Sequence, residues 1–206
     1  MKLNLPNKLT VLRLCLVPVF LVVGMLPDTV IPFYLSCVIC AVLFIGTALT
    51  DMFDGKIARR DNLITDFGKF LDPVADKFMV IGALFVILHK FEQLRTVMIF
   101  VLIIVVFREL AVTSMRLVVS TGSGVVVAAN WLGKVKTVSQ IVFICTVFLE
   151  PVVEYVIELI LGGADNYLLH GVYPLTWLSM LFTLVMTVWS GINYIVAYWG
   201  HLDPEK

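Results

Sequence analysis

Six long apolar blocks limit what this chain can fold into. They run approximately from Leu9 to Leu26, Ile31 to Leu49, Phe78 to Leu88, Val97 to Val119, Val138 to Leu149 and Leu175 to Trp199. A helix rises about 1.5 Å per residue, so about 20 apolar residues cross a hydrocarbon core. The third and fifth blocks are too short alone, and their helices are expected to begin upstream, near Asp66 and Trp131. Barrel strands would appear as short alternating segments, not as continuous apolar runs. The chain is 60% hydrophobic and 15% charged, against about 25% charged in a soluble domain. It therefore reads as an all-α, polytopic membrane protein. Six transmembrane helices form a single domain over residues 1–206, with a short N-terminal interfacial segment, Leu3 to Lys8. No small-residue cleavage pattern follows the first block, and Pro18 interrupts its centre, so it reads as a retained helix rather than a secretory signal.

Net charge is zero and by itself identifies no partner; no nucleic-acid partner is expected. The distribution of charge says more. With six spans, every Lys and Arg except Lys90 and Arg95 falls on one side. Lys and Arg mark the cytoplasmic face, so both termini are expected there. The connection from Glu150 to Pro174 has acidic residues but no Lys or Arg, and is expected outside. Cys37 and Cys40 sit in mid-helix without a second pair or a nearby His, and read as small buried apolar residues. Trp177, Trp189, Tyr194, Tyr198 and Trp199 read as interface anchors.

Against this background one stretch stands out: Asp51-Met-Phe-Asp54-Gly55-Lys-Ile-Ala58-Arg59, then Gly68-Lys-Phe-Leu-Asp72-Pro-Val-Ala-Asp76. Ionisable groups near a bilayer are costly and mark sites or pathways. Asp51 and Asp54 are three apart, Asp72 and Asp76 four apart, spacings that put each pair on one helix face. Four converging carboxylates repel by about 4 kcal/mol per close pair at an effective dielectric near 20. A cation must hold them. Oxygen ligands without Cys or His suit Mg²⁺ or Mn²⁺ rather than zinc. Gly55, Ala58 and Gly68 admit close approach of a helix or a ligand, and Arg59 is able to grip a phosphate. Two metals holding phosphate oxygens suit phosphoryl displacement. Asp61 and Asp66 read as helix caps.

The pattern Asp-x₂-Asp-Gly-x₂-Ala-Arg-x₈-Gly-x₃-Asp-x₃-Asp resembles the signature of the CDP-alcohol phosphotransferase family at every position. The resemblance implies a six-helix enzyme of the bacterial inner membrane, its active site facing the cytoplasm. Such an enzyme cleaves CDP-diacylglycerol and passes the phosphatidyl group to an alcohol, releasing CMP. It implies that Asp51, Asp54, Asp72 and Asp76 bind two Mg²⁺ or Mn²⁺ ions, with Asp76 also the general base. Asp54, Gly55, Ala58, Arg59 and Gly68 are then expected against CDP-diacylglycerol, joined by Thr10 and, less directly, by Asn7 and Arg13. A homodimer is compatible with the resemblance.

Four further stretches, Asn4 to Arg13, Leu71 to Lys77, Arg108 to Arg116 and Gly133 to Thr137, resemble the branch whose acceptor is glycerol 3-phosphate. Charge points the same way. Arg108 and Arg116 are eight residues apart, about 12 Å along a helix, and both can face one cavity with Lys134 arriving from the next helix. Three cations suit an acceptor phosphate, with Glu109 balancing the arginines. Inositol phosphate, serine and phosphatidylglycerol are the alternative acceptors. A divalent-cation transporter is the remaining class, but its acidic site is expected near mid-membrane.

Overall fold

A computed structural model of the chain describes residues 4–60, 65–122, 131–160 and 173–199. Within these, the side chains of residues 5, 6, 52–60, 66, 69 and 120–122 lie outside the description. The described residues form six α-helices: α1 (Leu5–Met25), α2 (Phe33–Arg60), α3 (Asp66–Lys90), α4 (Arg95–Gly122), α5 (Trp131–Ile160) and α6 (Pro174–Tyr198). A single 3₁₀ turn, Glu92–Leu94, joins α3 to α4. The upstream starts expected for the third and fifth helices are where α3 and α5 begin.

Local chemistry sets the helix ends. Asn4 caps α1 by accepting the Asn7 N–H at 3.1 Å, so residues 5–8 form the first turn of the spanning helix and are continuous with it. Thr65, not Asp66, caps α3, its hydroxyl oxygen accepting the Gly68 N–H at 3.1 Å. Asp61 lies outside the described residues. Pro18 is absorbed within α1, as packed membrane helices allow.

Five of the six helices are long and apolar enough to cross a membrane; α3 is not among them. Its first half carries Asp66, Lys69, Asp72, Asp76 and Lys77. Neighbouring helices make up the difference. α3 packs against α1, α4 and α5 and buries Met79, Ala83, Leu84, Val86 and Ile87. Where α1 crosses α3, Gly24 faces Val86, and an added Cβ would stand 2.3 Å from Val86 Cγ1. Only a residue without a side chain lets the two backbones approach that closely. Away from the charged end, an aromatic cluster ties four elements together: Phe20 meets Phe44 at 6.4 Å and Phe148 at 5.9 Å, and Phe91 meets Phe148 at 6.1 Å. Cys37 and Cys40 are buried free thiols in the same core.

The acidic connection differs from its sequence reading. α5 runs on to Ile160, so Glu150 is helical, and it is buried. Its two carboxyl oxygens accept the N–H groups of Leu175 and Thr176 at 2.8 and 2.7 Å. These are orphan donors of the first turn of α6. Tyr173, at the N-cap position with φ 48°, supplies no side-chain cap. A residue 25 positions away does so instead.

Candidate active site

One end of the bundle gathers the C-terminal halves of α2, α4 and α6 with the N-terminal parts of α1, α3 and α5. The six-helix topology brings together there side chains that are far apart in sequence. A cavity of about 330 Å³ at this end is lined by Asp51 from α2, Asp72, Asp76 and Lys77 from α3, and Arg108, Glu109 and Arg116 from α4. Three of the four expected carboxylates thus share one wall. Asp54, Gly55, Ala58 and Arg59 continue along α2, but their side chains lie outside the described residues.

α1 supports the carboxylates. Asn7, Thr10 and Arg13, spaced three apart, make a polar stripe that is buried although it lies in an apolar block. The Thr10 hydroxyl donates to Asp72 Oδ1 at 2.6 Å, and Arg13 Nη1 donates to Asp51 Oδ1 at 2.6 Å. Asn7 and Thr65 are hydrogen-bonded at 3.0 Å. Their atoms fill the space beside Gly68, where an added Cβ would stand 2.9 Å from Asn7 Oδ1 and 3.3 Å from Thr65 Oγ1. The visible part of Gly68 is therefore to admit α1 against the start of α3. Thr10 and Arg13, expected against a ligand, here orient Asp72 and Asp51.

A second cavity, about 400 Å³, adjoins the first and shares Arg108, Val112 and Arg116 with it. Lys134 and Thr137 of α5 and Tyr194 of α6 complete its wall. Arg116 donates to the Tyr194 hydroxyl at 2.9 Å and lies over its ring at 5.7 Å, a geometry that adds cation–π attraction. Tyr194 is buried and is not the interface anchor its sequence position suggested, whereas Trp177, Trp189 and Trp199 are exposed. Lys134 is exposed and lines the cavity. Arg108 is more committed: it donates to Glu109 at 3.2 Å and to Ser190 at 2.6 Å.

Sequence reasoning passed over Lys136, which the structure buries against Glu109 in a hydrogen-bonded ion pair. Glu109 therefore balances Arg108 and Lys136, while Arg116 is held by Tyr194. The signal was present, because Lys134 and Lys136, two apart on one helix, point to different sides.

Among the described residues, the lining aspartates do not close into a three-ligand metal cage. Their chemistry nonetheless fits a hard divalent cation. Asp51, Asp72 and Asp76 offer only oxygen, and neither Cys nor His is part of the cavity wall. Oxygen-only sets favour Mg²⁺ and Mn²⁺ over zinc or copper.

Comparison with known proteins adds an independent finding. The family model described as CDP-alcohol phosphatidyltransferase matches residues 3–189. A Bacillus subtilis (strain 168) protein named CDP-diacylglycerol–glycerol-3-phosphate 3-phosphatidyltransferase is 37% identical, over 98% of this chain and 99% of its own. Proteins of the same name from Yersinia pestis (strain Pestoides F) and Pectobacterium atrosepticum are each 33% identical, over 98% and 96% of both chains respectively.

Proposed function

The chain belongs to the CDP-alcohol phosphatidyltransferase family, and from that membership we propose that it transfers the phosphatidyl group of CDP-diacylglycerol to sn-glycerol 3-phosphate. The products are phosphatidylglycerophosphate and CMP. Full-length similarity to relatives named for this reaction supports the acceptor. The observation in the structure that carries the reading is the pair of adjoining cavities, one lined by carboxylates and the other by cations, meeting at Arg108 and Arg116. A substrate diphosphate and an acceptor phosphate are both anionic. They need separate neutralisation a few ångströms apart, and this arrangement offers it.

Asp51, Asp54, Asp72 and Asp76 would hold two divalent ions, Mg²⁺ or Mn²⁺. Bound there, the ions supply Lewis-acid neutralisation of the diphosphate and of departing CMP. The remaining chemistry belongs to the chain. Arg13 and Thr10 keep Asp51 and Asp72 turned toward the cavity. Arg59, with Gly55 and Ala58 on the same helix, receives the nucleotide end of the donor. Arg116 and Lys134 hold the acceptor phosphate, with Arg108 between the two cavities. Asp76 takes the proton from the primary hydroxyl of glycerol 3-phosphate as that oxygen attacks the phosphorus bearing diacylglycerol. The phosphoanhydride bond breaks and CMP leaves with the bonding pair. Displacement is direct, because no Ser, Cys or His accompanies the aspartates as a nucleophile. The bias of Lys and Arg supports an orientation with this end of the bundle, and both termini, at the cytoplasmic face, and bacterial relatives support a bacterial inner membrane.

Asp76→Asn tests the base. CMP release should fall to background while CDP-diacylglycerol still binds, as measured by displacement of a fluorescent CDP-lipid. Turnover at the unmodified rate would remove Asp76 from this role.

A further inference from the structure

A third cavity, also about 330 Å³, is a groove between α4 and α6 beside the candidate active site. It shares Arg108 and Val112 with both cavities described above. Its walls are otherwise almost wholly apolar, including Ile103, Ile104, Phe107 and Ile192. Phe107, Ile103 and Ile192 are also exposed on the outside of the bundle, so the groove opens toward lipid.

Two polar atoms stand just behind this lining, on residues that form it. Thr187 is fully buried, yet its hydroxyl has no hydrogen-bond partner among the described residues, and Nε of Arg108 is likewise buried without one. Both residues line the groove. Thr183, one turn away on α6, shows the usual solution, donating to the Ser139 carbonyl at 2.9 Å. Leaving a buried donor unpaired is unfavourable by about 1–3 kcal/mol. Two such donors on residues of one groove call for an acceptor supplied from outside, and a carbonyl oxygen, with two lone pairs and no hydrogen of its own, is able to accept from both.

The order of groups along the helices identifies that carbonyl. On α6, Tyr194 meets Arg116 and Ser190 meets Arg108. Thr187 lies three residues deeper, about 4.5 Å along the axis. On α4, Ile104 and Ile103 lie about one turn deeper than Arg108. From the cavity end inward the sequence is cations, then a hydroxyl, then hydrocarbon. A glycerophospholipid presents its complement in the same order: phosphate, ester carbonyl, acyl chain. Gly191 helps to shape the passage, since an added Cβ would stand 3.2 Å from Arg108 Cγ.

We propose that the α4–α6 groove seats one ester arm of the diacylglycerol moiety. Thr187 Oγ1 and Arg108 Nε donate to its carbonyl, and the acyl chain runs out over Ile104, Ile103 and Phe107. This rests on the phosphatidyl-transfer reading above and adds a subsite for the lipid part of the donor.

The test compares wild type and Thr187→Val on two donors at saturating glycerol 3-phosphate: CDP-diacylglycerol and its dialkyl ether analogue of equal chain length, which has no carbonyl. Valine keeps the shape and removes an unpaired hydroxyl, so the variant should fold at least as well as wild type. Expected is a loss of kcat/KM of about fivefold on the diacyl donor, one neutral hydrogen bond of about 1 kcal/mol, with no change on the ether. Equal losses on both donors, or none on either, would overturn the assignment. As a second variant, Ala111→Phe fills the groove from α4. It should raise KM for long-chain donor well above its effect on a dibutyryl donor, and equal effects would again count against the groove. CMP release by wild type checks the parent reading separately in the same assay. The diacyl-to-ether ratio checks the groove.

Discussion

Removing the carboxyl group of Glu150 should loosen the bundle far from the candidate active site. Its two oxygens accept the N–H groups of Leu175 and Thr176 at 2.8 and 2.7 Å, and the side chain is buried. Glu150→Ala leaves both donors of α6 without a partner. A buried unsatisfied donor is destabilising by about 1–3 kcal/mol, so two amount to about 4 kcal/mol. For a chain of this length, 1 kcal/mol moves Tm by roughly 2–4 °C, which gives a fall of roughly 10 °C. Glu150→Gln retains one carbonyl oxygen and should lose about half as much. The assay is thermal unfolding of the purified protein in one detergent, with activity measured well below both midpoints. There, the specific activity of Glu150→Ala should stay close to wild type, because the residue lies about 24 Å along α5 from Lys134. The reasoning is refuted if Glu150→Ala melts with wild type, or if Gln proves as damaging as Ala.

Two further perturbations probe the charged end. Arg116→Ala should raise the apparent KM for glycerol 3-phosphate at least about tenfold, the usual worth of a charge-assisted hydrogen bond, with little change for CDP-diacylglycerol; initial rates at varied concentrations of each substrate decide it, and an effect confined to CDP-diacylglycerol would move Arg116 to the other substrate. Lys136→Leu should destabilise by about 3 kcal/mol, because Glu109 loses a buried partner, whereas Glu109→Leu with Lys136→Leu should recover most of that loss; a double-mutant cycle in thermal unfolding measures the coupling.

Much of this was legible in the sequence, for identifiable reasons. Apolar block length and charge asymmetry determine helix number and the end at which the aspartates collect. A spacing of four puts Asp72 with Asp76, and both line one cavity with Asp51. Arg108 and Arg116, eight apart, do face one cavity, together with Lys134. The contacts that escaped are tertiary. Glu150 reads as a loop acid because nothing local reveals that its partners are 25 residues on. Tyr194 resembles an interface anchor because aromatic residues near helix ends usually are. Arg13 and Thr10 read as ligand contacts, and only packing of α1 against α2 and α3 shows that they orient Asp51 and Asp72. Thr187 gives no signal in sequence at all, since a helical threonine ordinarily finds a carbonyl.

The central claim is tested most directly by CMP release from CDP-diacylglycerol, with purified protein, Mg²⁺ or Mn²⁺, and one acceptor at a time. Glycerol 3-phosphate should give one CMP per phosphatidylglycerophosphate formed, while serine and inositol phosphate leave release near background. Release with serine or inositol phosphate but not glycerol 3-phosphate would contradict the acceptor assignment, and no CMP with any acceptor would contradict phosphatidyl transfer itself.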